Sequence, residues 1–353
     1  MPPLLRTWTG LRCLMLAVLP VALSAQSERH TLSGDRVSVY NLAGRLRVEG
    51  GSGSQVVVDV TRGGRDAAKL RVAQGDIRGV QALRVLYPAD QIVYSELGNR
   101  SRTQMRVESD GTFASDRDGW RNRDRVEIRG SGSGLEAYAD MVVSVPKGQR
   151  IAVYWGVGEA TVTNVDGDIR VDVAASRVTA QHTRGMLHLE TGSGSVELTD
   201  AQGDVTLDTG SGGVTVTGVT GQILSMDTGS GSIRGSDIDV KTLKLDVGSG
   251  GLRIDRIKAS RVSADAGSGG IDLSFLGPVA DLSAEAGSGG VTIRLPASQS
   301  ADVDIETGSG GIQTDFSIET SRFARNHIRG TIGSGAGRIH IESGSGAVRL
   351  LKS

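Results

Sequence analysis

Residues 191–235 read TGSGSVELTDAQGDVTLDTGSGGVTVTGVTGQILSMDTGSGSIRG, and the spacing within this stretch decides the fold. Gly-Ser-Gly triplets begin at Gly192, Gly210 and Gly229, and each is flanked by short segments in which apolar and polar residues alternate. Val205 and Leu207 precede one turn, Val214 and Val216 follow it, and Leu224 and Met226 precede the next. Alternation with a period of two marks a strand that buries one face. Each unit is therefore strand, glycine turn, strand and a more variable connection. Working outward, further triplets begin at Gly248, Gly267, Gly287 and Gly308, which makes six intervals of about 19 residues. A flexible Gly/Ser linker has no reason to keep a period. Two strands this short cannot bury a core alone, whereas stacked copies line one continuous interior.

The expected fold class is all-β: a parallel, β-helix-like solenoid of about 19-residue coils over residues 156–353, preceded by an N-terminal β capping region over 26–155. At a neighbour spacing of about 4.8 Å, ten such coils make a stack about 50 Å long. Antiparallel hairpins turning at every triplet would show the same pattern, but the near-constant repeat length favours coils. Glycine suits the turn for two separable reasons: it accepts positive φ without steric cost, and it lets stacked backbones approach closely. The connections carry turn residues of their own, at Gly203, Gly218, Gly221, Gly235 and Gly277 with Pro278. After Gly308 the next triplets begin at Gly333 and Gly344, so a different arrangement is expected at that end of the stack.

The chain has 353 residues with 51 glycines, 7 prolines and 3% aromatic residues. Collagen is excluded because glycine does not recur at every third position. Residues 1–25 read as a signal peptide. Arg6 and Arg12 precede an apolar run at 14–22, and small residues at Ala22, Ser24 and Ala25 offer a cleavage site. That run is short of the about 20 residues a membrane span needs, and Pro20 interrupts it. Cys13, the single cysteine, leaves with the signal, so the exported chain relies on packing and hydrogen bonds rather than disulfides. Loss of Arg6 and Arg12 moves the formal net charge from −1 to −3. A charge this small argues against nucleic acid or an anionic membrane surface as partner.

The N-terminal region carries strand patterns of its own at 37–40, 46–49, 56–60, 83–87, 141–145 and 151–154, with a turn at 146–148. Between residues 95 and 130 lie eight arginines and seven acids, and this polar stretch is expected to be a solvated loop. The segments VYNLAGRLRVEGGSGSQVVVDV, VVSVPKGQRIAVYWGVGEATVTNVDGDI, the repeated DTGSGG and the ending IHIESGSGAVRLL together resemble the bacterial putative-adhesin family of exported β-solenoid proteins, a domain of unknown function. The likeness covers nearly the whole mature chain. It implies an envelope or extracellular β-structure and supplies no active-site motif.

An acid stands two positions before the first glycine of almost every triplet: Glu190, Asp208, Asp227, Asp246, Asp265, Glu285, Glu306 and Glu342. In-register coils would align these as an outward stripe. One reading is a cation ladder at Asp208, Asp227, Asp246 and Asp265, since calcium takes several oxygen ligands. The other is local capping, each carboxylate accepting hydrogen bonds from its own turn. Repulsion between unit charges about 5 Å apart is about 1 kcal/mol in water, and a hydrogen bond to a charged group gives about 1.5–3 kcal/mol. Capping is therefore expected, with no metal required.

No G-x-S-x-G elbow, phosphate loop or H-E-x-x-H helix occurs, and the turn serines Ser193, Ser211, Ser230, Ser249, Ser268 and Ser288 have no matching histidine column. The five histidines, His30, His182, His188, His327 and His340, are scattered; His188 and Glu190 share a strand face. NVDGDI at 164–169 lacks the glycine and final acid of a calcium loop and reads as a turn. Tyr87, Tyr94, Phe113, Trp120, Tyr138, Tyr154 and Trp155 gather in the N-terminal part, as a packed core or as a binding patch around Trp120.

Three function classes follow. The first is a non-enzymatic exported structural or adhesin-like protein whose partner is an envelope protein or cell-surface component. The second is a periplasmic binding or sensing module linked to envelope stress. The third is a solenoid polysaccharide-active enzyme such as a lyase, for which Lys241, Lys244, Arg253 and Arg256 lie beside the Asp246 coil. The first is the expected one, with no catalytic residue, no cofactor, and no transmembrane span once the signal is removed.

Overall fold

Val205, Leu207, Val214, Val216, Leu224 and Met226 are all buried, while the residues between them reach the surface, as the alternation requires. The computed structural model describes residues 27–113 and 124–353, so the expected signal peptide at 1–25 with Cys13, and Trp120, lie outside the described residues. The architecture is all-β and solenoid-like, with no α-helix among the described residues.

Two rows of strands face each other across the core. The first row holds the strands before each glycine turn. In spatial order it runs Val80–Leu86, Arg36–Ala43, Gln149–Val157 and Asp166–Ala175, then through the repeat coils, every neighbour pairing being parallel. The second row holds the strands after each turn, from Tyr138–Pro146 and Leu46–Gly51 to Ile271–Phe275 and Val291–Leu295, again parallel. Both ends turn antiparallel. Ser27–Leu32, Val56–Gly63 and Tyr138–Pro146 form one such end, and His327–Ile332 pairs antiparallel with both Ala301–Thr307 and Glu319–Ala324 at the other. The sheet is therefore mixed rather than parallel throughout.

Where one chain segment serves both rows, as Val214–Thr228 does, it turns the corner at one residue with positive φ. Asn164, His182, Asp200, Gly218, Asp237 and Arg256 occupy this position in successive coils, with φ between 52° and 71°. These corners stack, and Asp237 pairs with the guanidinium of Arg256 in the next coil.

The GSG turns settle which property of glycine matters. None of their glycines from Gly192 to Gly310 has a left-handed φ. At Gly212 an added Cβ would stand 1.5 Å from the Gly194 carbonyl oxygen of the adjacent coil, and the equivalent glycines repeat the conflict. Close stacking is thus the requirement, and the positive-φ reason falls away at these turns.

Hydrophobic packing runs as one core from Leu32 to Leu350. It passes residue 155 without a break, because Gln149–Val157 pairs with Arg36–Ala43 on one side and Asp166–Ala175 on the other. Trp155 lies fully inside and donates its indole N–H to the Gly44 carbonyl at 2.8 Å. The expected loop at 95–130 is corrected in part. Arg102–Val107 and Asp124–Arg129 pair antiparallel, and Gln91–Val93 joins in parallel. Met105, Val107, Val126 and Ile128 alternate among the arginines, and they close a second small core with Tyr94 and Phe113.

The chain's last coil is not the last in space. Arg338–Ser343 lies between Asp281–Ala286 and Ala301–Thr307, and Val348–Lys352 lies between Val291–Leu295 and Ile312–Thr314. The uneven triplet spacing after Gly308 records this return. The chain leaves the stack, forms the hairpin of Glu319–Ala324 and His327–Ile332, and comes back to fill a gap one coil inward.

Candidate functional site: an acidic column and its turn hydroxyls

The acids before the turns align. Asp172, Glu190, Asp208, Asp227, Asp246, Asp265, Glu285, Glu342 and Glu306 are register partners in that order on the outer face of the first row. The same column continues past Asp172 to Tyr154, Tyr40 and Arg84. At its other end Glu306 is opposite His327, whose ring nitrogen lies 2.8 Å from Asp304. A row at strand spacing holds like charges about 4.8 Å apart. Partial burial first, then the charges of Asp208 and Asp246, push the Asp227 carboxyl above its ordinary 3.8. Burial and Glu190 do the same to Asp208, and burial with Asp246 and Glu285 to Asp265.

Among the described residues no hydrogen bond joins Asp208, Asp227, Asp246 or Asp265 to its own turn, which corrects the sequence expectation. The residue one position later caps the turn. Thr228 is fully buried, donates its hydroxyl to the Gly212 carbonyl at 2.8 Å, and accepts the Gly231 N–H at 3.0 Å. Thr209, Thr307 and Ser343 repeat both bonds in their own coils. The strand pleat explains the exchange: successive side chains point to opposite faces, so the acid faces solvent while the hydroxyl faces into the turn. The recurring Thr-Gly-Ser-Gly in the sequence carried this signal.

Asp208, Asp227, Asp246 and Asp265 are brought together as a row and are exposed. Single file gives a cation carboxylates from either side only, against the about six to eight oxygens calcium takes. No group of three or more potential metal ligands converges among the described residues. The column two positions earlier runs Arg170, His188, Thr206, Ser225, Lys244, Ser263, Ser283 and His340. His188 lies 3.5 Å from Glu190, which also accepts a hydrogen bond from Arg170 at 2.9 Å. In the 164–169 segment Asp166 pairs with Lys147 at 3.1 Å, and Asn164 makes the corner.

The basic residues near Asp246 do not converge on it. Lys244 shares its face, Arg253 stands on the other row beside Asp255 and Asp272, and Arg256 is held at the corner by Asp237. The aromatic residues Tyr87, Tyr94, Tyr138 and Phe113 pack in or against the second core, as the core reading expects.

An in-register stack with one core and a repeating outer column defines the class: an all-β, solenoid-like protein. The sequence profile of Toastrack DUF4097 matches residues 89–351, and the chain belongs to that family. No curated protein matches it in sequence. One solved structure, titled as a "putative cell adhesion protein" from Clostridium sporogenes ATCC 15579, is similar at 9% identity over 93% of this chain and 99% of that one. Its TM-score of 0.19 is too low to bear on function. No helix among the described residues is long and apolar enough to cross a membrane.

Proposed function

We propose that the mature chain is an exported, non-enzymatic, adhesin-like structural or interaction protein of the bacterial envelope. The single observation that carries this reading is the alignment of Asp208, Asp227, Asp246 and Asp265 in one exposed, evenly spaced row. A row fixed by backbone pairing presents the same charge at a constant interval. It therefore suits a partner with matching positive repeats. In this reading the coils from Asp166 onward are the presenting stack, and the antiparallel strands at both ends cap it. Capping matters because a bare ladder edge recruits other strands. The partner is an envelope protein or a cell-surface component, and residues 1–25 direct export.

Cell fractionation tests the location, and the expected result is recovery outside the cytoplasm without residues 1–25. Pull-down from envelope extracts tests the row. The wild-type chain should retain a partner that a D208N/D227N/D246N/D265N variant loses. Equal retention by both proteins would overturn the assignment of the column as the interaction face.

A further inference from the structure

The column of acids ends where a different surface begins. On the adjacent strands Arg36–Ala43 and Gln149–Val157, outward side chains match in pairs: Arg36 with Arg150, Ser38 with Ala152, and Tyr40 with Tyr154. Small residues between an arginine end and a tyrosine end leave a depression. At strand rise the two ends are about 13 Å apart. The hairpin turn around Arg78 forms one wall and Thr112 with Phe113 another, and the groove encloses about 620 Å³. Small-molecule sites run from about 300 to 1,000 Å³.

Four arginines line the groove, Arg36, Arg78, Arg150 and Arg170, against the acids Glu108 and Asp168. Arg170 is engaged by Glu190 at 2.9 Å, and Arg150 has Asp168 only at 3.8 Å. Arg36 lines the same groove with no salt bridge to it among the described residues, and Arg78 lines it too, its charge felt by Asp110 and Tyr40. A guanidinium group without a bidentate carboxylate partner is suited to capture of an acid group.

The tyrosines narrow the ligand. Tyr40 and Tyr154 stack on each other with centroids 4.7 Å apart and planes 10° from parallel, and Phe113 meets Tyr40 edge-on at 5.8 Å. Their neighbours in the column are Arg84 and Asp172. The faces that the two rings turn to each other are closed to a ligand, which leaves ring edges and hydroxyls to meet one in the groove. Ring edges are electropositive and attract the π face of another ring. A sugar would need an open aromatic face instead.

Arg78 supplies an independent observation. It forms the two-residue loop between Arg71–Ile77 and Val80–Leu86 with Gly79, and both residues have positive φ, 53° and 82°. Such a turn favours Asn or Gly at its first position. Arginine is not among the residues such a turn favours, and here its side chain lines the groove.

We propose that this groove binds a flat aromatic organic anion, its acid group held by Arg36, Arg78 and Arg150 and its ring set against the edges of Tyr40 and Tyr154. This is independent of export and of the partner of the acidic column. Isothermal titration calorimetry on the mature chain tests it, with 2-naphthoate as probe, 2-naphthalenemethanol as its neutral counterpart and trigalacturonate as an acidic sugar. 2-Naphthoate should bind with a dissociation constant below about 1 mM, and both other compounds at least about tenfold more weakly. R36A, on an exposed strand position, should weaken 2-naphthoate at least about tenfold. R78N should weaken it similarly while raising the melting temperature, because asparagine suits the turn. Absence of 2-naphthoate binding, equal binding of the alcohol, tighter binding of the sugar, or unchanged affinity in folded R36A would each overturn the proposal.

Discussion

Glu285 and Glu306 precede successive glycine turns in the chain, yet they are not neighbours in space: Glu342, from the final coil, lies between them in register with both. The C-terminal strands thus fill an interior position of the stack, with backbone pairing on both sides.

Deletion of residues 338–353 should accordingly do more harm than loss of a terminal strand. It would leave Asp281–Ala286 and Ala301–Thr307 without their shared partner, and Val291–Leu295 and Ile312–Thr314 likewise. Open parallel edges of this kind promote association. The expected outcome is loss of a cooperative thermal transition and appearance of aggregates, read by circular dichroism and size-exclusion chromatography.

Gly212→Ala tests the close stacking of the turns. The new Cβ would meet the Gly194 carbonyl oxygen, a backbone atom that cannot swing away. Overpacking of this severity costs about 3 kcal/mol. Gly277 is the control, since it has no left-handed φ and nothing near its missing Cβ. Gly277→Ala should be neutral or stabilising by up to about 1 kcal/mol. Urea denaturation of the two variants gives the comparison.

Thr228→Val removes the turn hydroxyl while keeping the shape of the side chain. The Gly231 N–H and the Gly212 carbonyl each lose a partner. Stability should fall by about 1–2 kcal/mol. The cost is limited, because Val247 and Ala266 occupy the same position in the next two coils. Denaturant midpoints at an unchanged slope would measure it.

Asp227→Asn tests the electrostatics of the column. The Asp227 carboxyl is raised above 3.8 in the folded chain, so the folded state binds its proton more tightly than the unfolded one. Linkage then makes its contribution to stability fall as pH rises from 3.8 through the raised value, and leaves it unfavourable at neutral pH. The variant should melt about 1 °C higher than the wild type at pH 7. That advantage should fade below pH 3.8 and be gone by about pH 3, where the carboxyl is protonated in both states. Paired melting curves across this range decide it.

Much of this was legible before any tertiary information. The alternation around Val205–Thr209 sets the buried and exposed faces, and the triplet period marks the coils. The outward placement of Asp208, Asp227, Asp246 and Asp265 follows from the same pleat. Strands Arg102–Val107 and Asp124–Arg129 were hidden because arginines mask their short apolar alternation. The acids, rather than the capping hydroxyls, stand out in the sequence because adjacent positions on a strand differ only in the face they choose.

The sequence by itself determined the repeating unit, its inward and outward residues and its tight glycine turn, because these depend on contacts within one or two coils. Tertiary structure alone decided the order of the coils, the place of Glu342 and the meeting of Arg36 with Arg150. Every coil offers its neighbours the same backbone hydrogen bonds and similar apolar faces. Local pattern therefore does not encode which coil lies beside which, and the path of the connecting chain makes that choice.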